Sequence, residues 1–307
     1  MERQLVTYPL NKNKNSVLNI IWVLLPVLFW GISFISTKVA LREIPPVSIA
    51  FFRQLIALAP LIAWGLATKA SFRIKPLDLL LLAGSCFFGI VLYFVFENNG
   101  LKYTTASSAS MIVAAVPVFT LITETLFFKL KATLRMFICI AVSIAGVYLV
   151  ISVNGKLDFS SGTFLGNMLM MGAMASWVIY TIMSRKLGNT YSSFVITMYQ
   201  TALSVLLFVP FIIPEMDQWK PVSTVALLNL VYLGVFCSAI SYFSFLYAIK
   251  KLGSTVSSAF LNLIPVVSVA AGYFVLDERL FLIQYLGMIM IILSLFALNR
   301  TQKEPVS

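Results

Sequence analysis

Long apolar stretches alternate with short polar connections along almost the whole chain of 307 residues. A helix needs about 20 apolar residues to cross the hydrocarbon core of a bilayer. A spanning segment must also pair its own backbone groups, which a helix does and a loop does not. The pattern therefore predicts an all-α polytopic membrane protein with ten transmembrane helices. The predicted spans, TM1 to TM10, cover residues 17–40, 46–66, 77–98, 103–127, 133–152, 163–184, 192–213, 223–248, 255–276 and 281–298.

The second half of the chain weakly repeats the first at an offset of 147–149 residues. Residues 30–53 and 177–200 each begin with Trp in one span and end in the next, and residues 106–117 and 254–265 each end in a Pro within a span. Each half holds five spans, so the second copy must enter the membrane from the opposite side. Two inverted repeats around a central cavity are typical of transporters. Chance similarity between apolar stretches stays the alternative interpretation.

The composition supports a membrane protein and argues against a nucleic-acid-binding one. Hydrophobic residues make up 60% of the chain and charged residues only 11%, with a mean hydropathy of +0.95. A soluble domain needs more polar cover than this. The net charge of +11 comes mainly from Lys and Arg in the connections. That distribution is a signal of membrane topology, so no nucleic-acid partner is expected.

The Lys and Arg residues also predict the orientation. With the N-terminus in the cytoplasm, 15 of them lie on the inner side and 5 on the outer side. The positive-inside rule therefore predicts a multi-pass protein of the cell membrane with both termini cytoplasmic. The predicted organisation is a tail at residues 1–16, a first repeat at 17–152, a second repeat at 160–298 and a tail at 299–307.

Four ionisable residues lie inside the predicted spans, where a charge is costly. Arg53 and Glu97 both fall in the outer third of the membrane. They are predicted to face one cavity, as a pair or as anchors for a substrate, and the alternative is a structural ion pair or snorkelling to the headgroups. Glu124 is a candidate for binding a proton or a cationic group, and Lys38 is a candidate for ion coupling. Both lie close enough to a membrane face that a purely structural role is the alternative.

Aromatic, small polar and proline residues complete the predicted site. Trp30 and Trp177 occupy matching positions of the two halves and lie too deep for an interfacial belt, so aromatic walls are predicted around an apolar or aromatic substrate. The residues predicted to line the cavity are Trp30, Ser33, Arg53, Tyr93, Glu97, Ser110, Trp177, Tyr180, Tyr242, Ser258 and Asn262. Pro117 and Pro265 each remove a backbone hydrogen bond within a span, which predicts two hinges. Plain helix packing is the alternative for the aromatic residues, hydrogen bonding between helices is the alternative for Asn262, and a kink without a gating role is the alternative for the prolines.

Other kinds of site find little support in the sequence. The chain has no His, and its three Cys lie within apolar runs. Their spacing fits neither a metal site nor a disulfide framework, so no metal and no cofactor are expected. No Walker-type nucleotide loop is present, which argues against a drive by ATP within this chain. TM5 and TM10 carry no interior charge, so we expect them at the periphery, facing lipid or a second copy in a homodimer.

Several short motifs occur in the order typical of the EamA branch of the drug/metabolite transporter superfamily, and the chain after residue 17 resembles that family. The motifs are WGxxFxxxK at residues 30–38, GLKYTTASSAS at 100–110, AIKKLGSTVSSAF at 248–260 and LDERL at 276–280. The resemblance implies ten helices, two EamA repeats and export of metabolites or amino acids. At the end of TM4, where family members often have Gly-Glu, this chain has Lys129-Leu130.

Taken together, these features favour a secondary transporter that works by alternating access. Its substrate would be a small metabolite, such as an amino acid or a related amphipathic or aromatic compound, and export fits the resemblance better than uptake. The alternatives are a channel or non-transporting scaffold and an intramembrane lipid-modifying enzyme. A channel would more naturally show a ring of like polar residues, and an enzyme a cluster of His, Asp, Glu or Cys. The sequence shows neither.

Overall fold

The computed structural model describes residues 16–68, 73–113, 115–116, 119, 134–151, 162–188, 190–252, 257, 260–261 and 263–301. Within these ranges every regular element is a helix, and no strand occurs. The α-helices are α1 (Ser16–Ala40), α2 (Pro46–Thr68), α3 (Pro76–Cys86), α4 (Tyr93–Tyr103), α5 (Ala106–Val113), α6 (Leu134–Ile151), α7 (Gly162–Gly188), α8 (Ser193–Ile212), α9 (Thr224–Tyr232), α10 (Ser241–Leu252), α11 (Ile264–Leu276) and α12 (Leu282–Thr301). Two π-helices, π1 (Phe87–Leu92) and π2 (Leu233–Ile240), join α3 to α4 and α9 to α10, and a 3-10 turn (Ile213–Gln218) follows α8.

Six apolar helical segments are long enough to cross a bilayer, and three shorter apolar helices accompany them. The six are Ile20–Ala40, Pro46–Thr68, Pro76–Tyr103, Gly162–Gly188, Ser193–Gln218 and Thr224–Lys251, and the shorter ones are Phe137–Val150, Ile264–Leu276 and Leu282–Ser294. The predicted all-α membrane protein is thus confirmed in its general form. The number of ten helices stays a prediction, because much of TM4 and the start of TM9 lie outside the described residues.

Local sequence signals mark where several of these helices begin. Pro76 occupies the first turn of α3, where the missing N–H of proline leaves no intrahelical bond unmade. The hydroxyl of Ser192 accepts a hydrogen bond from the N–H of Val195 at 3.3 Å, which caps α8. Ser223 does the same for Ala226 at the start of α9, at 3.2 Å. These caps satisfy N–H groups that a helix cannot pair by itself.

Hydrogen bonds between helix ends show which connections share a side of the molecule. The Glu215 carboxylate accepts hydrogen bonds from the N–H groups of Val47 and Ser48 at 3.0 and 2.7 Å, so α2 begins beside the end of α8. The Tyr191 hydroxyl donates to Asp78 at 2.6 Å, so α8 begins beside the start of α3. This hydrogen bond to Asp78 raises the pKa of Tyr191 above its ordinary value.

We call the side on which α2 begins face A and the side on which α3 begins face B. The helix α2 runs from face A to face B, whereas α8, its counterpart in the second half, runs from face B to face A. Opposite directions of corresponding helices are one requirement of an inverted repeat, and the two-repeat layout as a whole stays a prediction.

On face A, three glutamates each cap the N-terminus of a helix that belongs to the other half of the chain. We call these glutamates the carboxylate caps. Glu215 is the first of them. Glu278 accepts hydrogen bonds from the N–H and the hydroxyl of Ser107 at 3.0 and 2.8 Å, at the start of α5. Glu43 accepts a hydrogen bond from the N–H of Ser223 at 2.6 Å, and this bond holds the pKa of Glu43 below its ordinary value. A carboxylate at a helix N-terminus is also favoured by the helix dipole.

The helices α6 and α12, which correspond to TM5 and TM10, pack closely against each other. A Cβ atom at Gly146 would lie 2.7 Å from the carbonyl oxygen of Gly287, and one at Gly287 would lie 2.6 Å from that of Gly146. Small residues allow this kind of close approach between membrane helices. Side chains such as Phe137 and Leu286 are exposed on the outer surface of the pair. The homodimer through TM5 and TM10 stays a prediction.

Candidate functional site

A buried cavity lies between the two halves of the molecule. Water-sized molecules can occupy about 50 Å³ of it, which is room for a few waters. Its lining residues are Trp30, Ser33, Phe34, Arg53, Tyr93, Phe94, Glu97, Val113, Val116, Trp177, Tyr242, Leu261 and Ile264. Seven of the residues predicted for a cavity are on this lining, namely Trp30, Ser33, Arg53, Tyr93, Glu97, Trp177 and Tyr242.

Much of the lining is built twice, once by each half of the chain. The corresponding pairs are Val113 and Leu261, Val116 and Ile264, Trp30 and Trp177, and Tyr93 and Tyr242. Val113 ends α5, and Ile264 begins α11, so a helix boundary adjoins the cavity in each half. Pro265 lies buried in the first turn of α11, at this boundary, and its role as a hinge stays a prediction.

Four aromatic rings form the apolar wall of the cavity. The ring centroids of Trp30 and Trp177 are 5.6 Å apart, with an interplanar angle of 85°. The centroids of Tyr93 and Trp177 are 5.2 Å apart, and those of Trp30 and Tyr242 are 5.6 Å apart. The two pairs that include Trp30 are edge-to-face and the Tyr93–Trp177 pair is tilted, and aromatic contacts at these distances are favourable, so the wall is well packed.

The two π-helices anchor this wall through their backbone carbonyls. The indole N–H of Trp30 donates to the carbonyl of Cys237 in π2 at 3.0 Å. The hydroxyl of Tyr242 donates to the carbonyl of Gly89 in π1 at 3.2 Å. An aromatic residue from each half thus holds the π-helix of the other half. Single π-turns inside α-helices are frequent at functional sites.

Arg53 supplies a positive charge to the cavity and is only 1% exposed. Its Nε–H donates to the hydroxyl of Ser238 in π2 at 2.9 Å. Its guanidinium carbon lies 4.1 Å from the centroid of the Phe94 ring, in a cation–π contact. Among the described residues, the other guanidinium N–H groups have no hydrogen-bond acceptor. They are therefore available to a ligand in the cavity.

Glu97 supplies a carboxylate to the cavity, three residues after Phe94 on α4, and is 4% exposed. Its Oε1 accepts a hydrogen bond from the hydroxyl of Tyr93 at 2.9 Å, whereas Oε2 has no partner in the described part of the chain. No N···O distance of 4.0 Å or less joins Glu97 to Arg53, so the two do not form an ion pair. The cavity thus offers one cation and one carboxylate as separate groups.

The model of the EamA-like transporter family matches this chain twice, at residues 17–152 and 164–300. The chain belongs to the EamA-like transporter family. A relative from Archaeoglobus fulgidus named "Uncharacterized transporter" is 31% identical, over 83% of this chain and 88% of its own length. An Escherichia coli relative named "Probable amino-acid metabolite efflux pump" is 27% identical, over 89% of this chain and 92% of its own length. A crystal structure matches with a TM-score of 0.70 over 94% of this chain and 99% of its own, and at 17% identity this likeness shows the fold alone.

The family match confirms the resemblance that the sequence motifs indicated. Together with the apolar helices, it shows that this EamA protein is a multi-pass membrane protein of a transporter family. Within the described residues, no group of three His, Cys, Asp or Glu side chains could hold a metal ion.

Some of the predicted site residues of this EamA protein lie away from the cavity lining. Tyr180 is buried behind Trp177, with ring centroids 4.9 Å apart. The hydroxyl of Ser110 donates to a carbonyl of its own helix at 2.8 Å. The ammonium of Lys38 donates to the carbonyl of Thr104 on face A. The predicted residues Pro117, Glu124, Ser258 and Asn262 lie outside the described residues.

Sequence reasoning missed several residues on or beside the cavity lining. Phe34 lies four residues after Trp30, so the helical period alone places it on the same face. Phe94 and Ser238, which flank the Arg53 guanidinium, are not marked in the sequence by a helical spacing of this kind. Phe94 follows Tyr93 directly, and adjacent residues share a helix face poorly in a regular α-helix.

Proposed function

We propose that this EamA protein is a secondary transporter that exports an amino acid or a related amphipathic or aromatic compound from the cell by alternating access. The observation that carries the proposal is the buried cavity between the halves, which contains a guanidinium and a carboxylate that do not form an ion pair and that each keep hydrogen-bonding positions free. Burying two charges without joining them lowers the stability of the empty protein. A bound solute that carries both a carboxylate and an ammonium would compensate both charges, so a role in solute binding explains why the protein keeps them buried.

An amino acid has the charges and the apolar part that the cavity fits. Its carboxylate can accept two parallel hydrogen bonds from the free N–H groups of Arg53. Its ammonium can donate to the free Oε2 of Glu97. Its side chain can pack against the rings of Trp30 and Trp177, and a large aromatic side chain gains most from such a wall. The cavity holds only a few waters in this structure, so the side chains must move apart to admit a solute.

The proposal includes an architecture of ten helices in two inverted repeats, whose movement opens the cavity to one side of the membrane at a time. It is supported by the two matches of the family model, by the opposite directions of α2 and α8, and by the paired lining residues. The name of the Escherichia coli relative supports amino-acid export. The Lys and Arg distribution supports a cytoplasmic N-terminus, with face A outside. Roles of Lys38 and Glu124 in ion coupling stay predictions from the sequence.

Counterflow into proteoliposomes tests this function. The panel would hold amino acids, purines and quaternary amines, each at two pH values. We expect exchange of aromatic or amphipathic amino acids, and a loss of about tenfold or more in Arg53→Ala and in Glu97→Gln, since each removes a charged hydrogen-bond partner. Arg279→Ala, which changes an exposed arginine on face A, is the control.

Two results would refute the proposed function. One is a wild-type rate of exchange in folded Arg53→Ala and Glu97→Gln proteins, with folding checked by their unfolding temperatures. The other is single-channel conductance in a planar bilayer, which a carrier does not give.

A further inference from the structure

Three buried polar side chains near face B contain hydrogen-bonding atoms that have no partner within 3.5 Å in the described structure, although two of them, Tyr180 and Ser184, make a weak contact with each other. They are the hydroxyls of Tyr180 and Ser184 in α7 and the amide oxygen of Gln200 in α8. These side chains are 1%, 4% and 0% exposed. We call them the Gln200 cluster. Buried polar atoms are almost always hydrogen-bonded in native proteins, so three orphaned atoms in one region require an explanation.

The cluster surrounds the junction between α3 and π1. The amide NH₂ of Gln200 donates to the hydroxyl of Ser85 at 2.9 Å, and the thiol of Cys86 donates to the backbone carbonyl of Gln200 at 3.1 Å. The ring of Tyr180 packs on Gly89, where a Cβ atom would lie only 2.1 Å from it. The cluster therefore adjoins the π-helix that anchors the aromatic wall of the cavity.

The depth of the cluster places it on the opposite side of the aromatic wall from the charged pair. Gln200 lies seven residues after the start of α8, and Ser184 lies four residues before the end of α7. At 1.5 Å per residue these positions are about 10 and 6 Å from face B. Arg53 lies seven residues after the start of α2, about 10 Å from face A.

We propose that the Gln200 cluster is a second polar subsite of the transport path, which binds water and the ammonium end of the solute when the protein opens at face B. This inference rests on the proposed transport function. The cluster extends the path beyond the aromatic wall, so a solute would pass from the Arg53 and Glu97 pair to the cluster or in the reverse direction.

The internal repeat supports this assignment. Gln200 is the counterpart of Arg53, since each is the eighth residue of its helix. Arg53 donates to Ser238 in π2, and Gln200 donates to Ser85, which lies just before π1. In an inverted repeat that alternates, each half takes up in one state the arrangement that the other half has in the second state. The surroundings of Gln200 are thus expected to open toward face B as those of Arg53 open toward face A.

The chemistry of the cluster decides which end of the solute it binds. The free amide oxygen of Gln200 accepts hydrogen bonds and donates none, so it suits an ammonium or a water molecule. The hydroxyls of Tyr180 and Ser184 can accept as well. No side chain of the cluster is positively charged, so the cluster offers no charged partner to a carboxylate. The orphaned atoms destabilise the closed arrangement, and opening at face B lets them form hydrogen bonds.

Cys86 is a natural reporter for this opening, because it is fully buried and contacts Gln200. Sealed vesicles of known orientation would be treated with a membrane-impermeant methanethiosulfonate that carries a quaternary ammonium group. Peptide mapping by mass spectrometry separates Cys86 from Cys139 and Cys237. We expect labelling of Cys86 from the face-B side only. Absence of labelling from that side, or equal labelling from both sides, overturns the proposal.

Two substitutions test whether the polar atoms themselves are used. Tyr180→Phe and Ser184→Ala each delete a hydroxyl that has no partner within 3.5 Å, and with it only the weak contact between these two hydroxyls. We expect an unfolding temperature equal to or above that of wild type, together with a rate of Cys86 labelling about fivefold lower, because the opened region loses a partner for water. Ser143→Ala is the matched control, since it deletes an orphaned hydroxyl in α6, away from the cluster.

The proposal is overturned if Tyr180→Phe and Ser184→Ala are labelled at the rate of the Ser143→Ala protein. A purely structural role would move the unfolding temperature alone, whereas a subsite changes the labelling rate as well. The labelling needs no transported solute. A wild-type protein that exchanges nothing in the counterflow assay therefore contradicts the proposed transport function, and the labelling result is still readable.

Discussion

The carboxylate caps predict that face A can be loosened by a single substitution in a connection. In Glu215→Gln the carboxylate that joins the end of α8 to the start of α2 becomes a neutral amide. Two backbone N–H groups and the hydroxyl of Ser48 then lose their charged acceptor. Because the bonds link the two halves, their loss weakens the arrangement in which face A is closed, whereas each helix stays intact by its own hydrogen bonds.

The size of the effect follows from the contacts of Glu215. Loss of a helix N-cap costs about 1 kcal/mol, and loss of a negative charge near a helix N-terminus costs roughly 0.3–1 kcal/mol. Glu215 is partly exposed, so solvent screens its charge and the lower part of this range applies to the dipole. A total of about 1–2 kcal/mol changes the ratio of open to closed protein by roughly five- to thirtyfold.

Accessibility of the cavity from face A measures this ratio. Ser33→Cys places a thiol on the cavity lining, and an impermeant thiol reagent is added on the face-A side of sealed vesicles. We expect Glu215→Gln to raise the labelling rate at position 33 by roughly five- to thirtyfold. Asp217→Asn is the control, because Asp217 lies in the same 3-10 turn, is exposed and makes no hydrogen bond in the described structure. Equal labelling rates in the two variants would refute the role of the caps.

Two further predictions concern the other contacts between helices. Gly287→Leu adds a side chain where even a Cβ atom would lie 2.6 Å from a carbonyl of α6, so overpacking is expected to cost about 1–3 kcal/mol of stability and to lower the unfolding temperature in detergent. An unchanged unfolding temperature would contradict the close packing. Tyr191→Phe removes the hydrogen bond to Asp78 on face B, so Cys86 is expected to react faster with a thiol reagent added on that side, and a slower or unchanged rate would count against a closing role for this contact.

The helices and the aromatic residues of the cavity could be predicted from the sequence because both follow from local pattern. Apolar stretches of membrane length indicate where the helices lie. The constant offset between the two halves indicates that Trp30 and Trp177 occupy corresponding positions. Arg53 and Glu97 were recognisable because a charge within an apolar run needs a reason. These signals concern single residues and their immediate neighbours along the chain.

The features that could not be predicted depend on contacts between distant parts of the chain. Tyr180 follows Trp177 by three residues and so shares its face, yet its ring is directed at Gly89, where a glycine in a π-turn leaves room. A π-turn shifts the following side chains by part of a turn and has no sequence marker comparable to a proline. The carboxylate caps bind about 170 residues away, as Glu215 does to Ser48, and an acid in a connection looks like an ordinary solvated residue.

The two halves share a scaffold but differ in charge, and this difference bears on the direction of transport. The carboxylate caps stabilise the closed form of face A, whereas the orphaned atoms around Gln200 destabilise the closed form of face B. Under the proposed alternating-access mechanism, both effects would shift the empty protein toward the state open at face B. The Lys and Arg distribution predicts that face B is cytoplasmic. The empty transporter would then rest open to the cytoplasm, and a solute that binds both Arg53 and Glu97 would supply the energy needed to release the caps at face A.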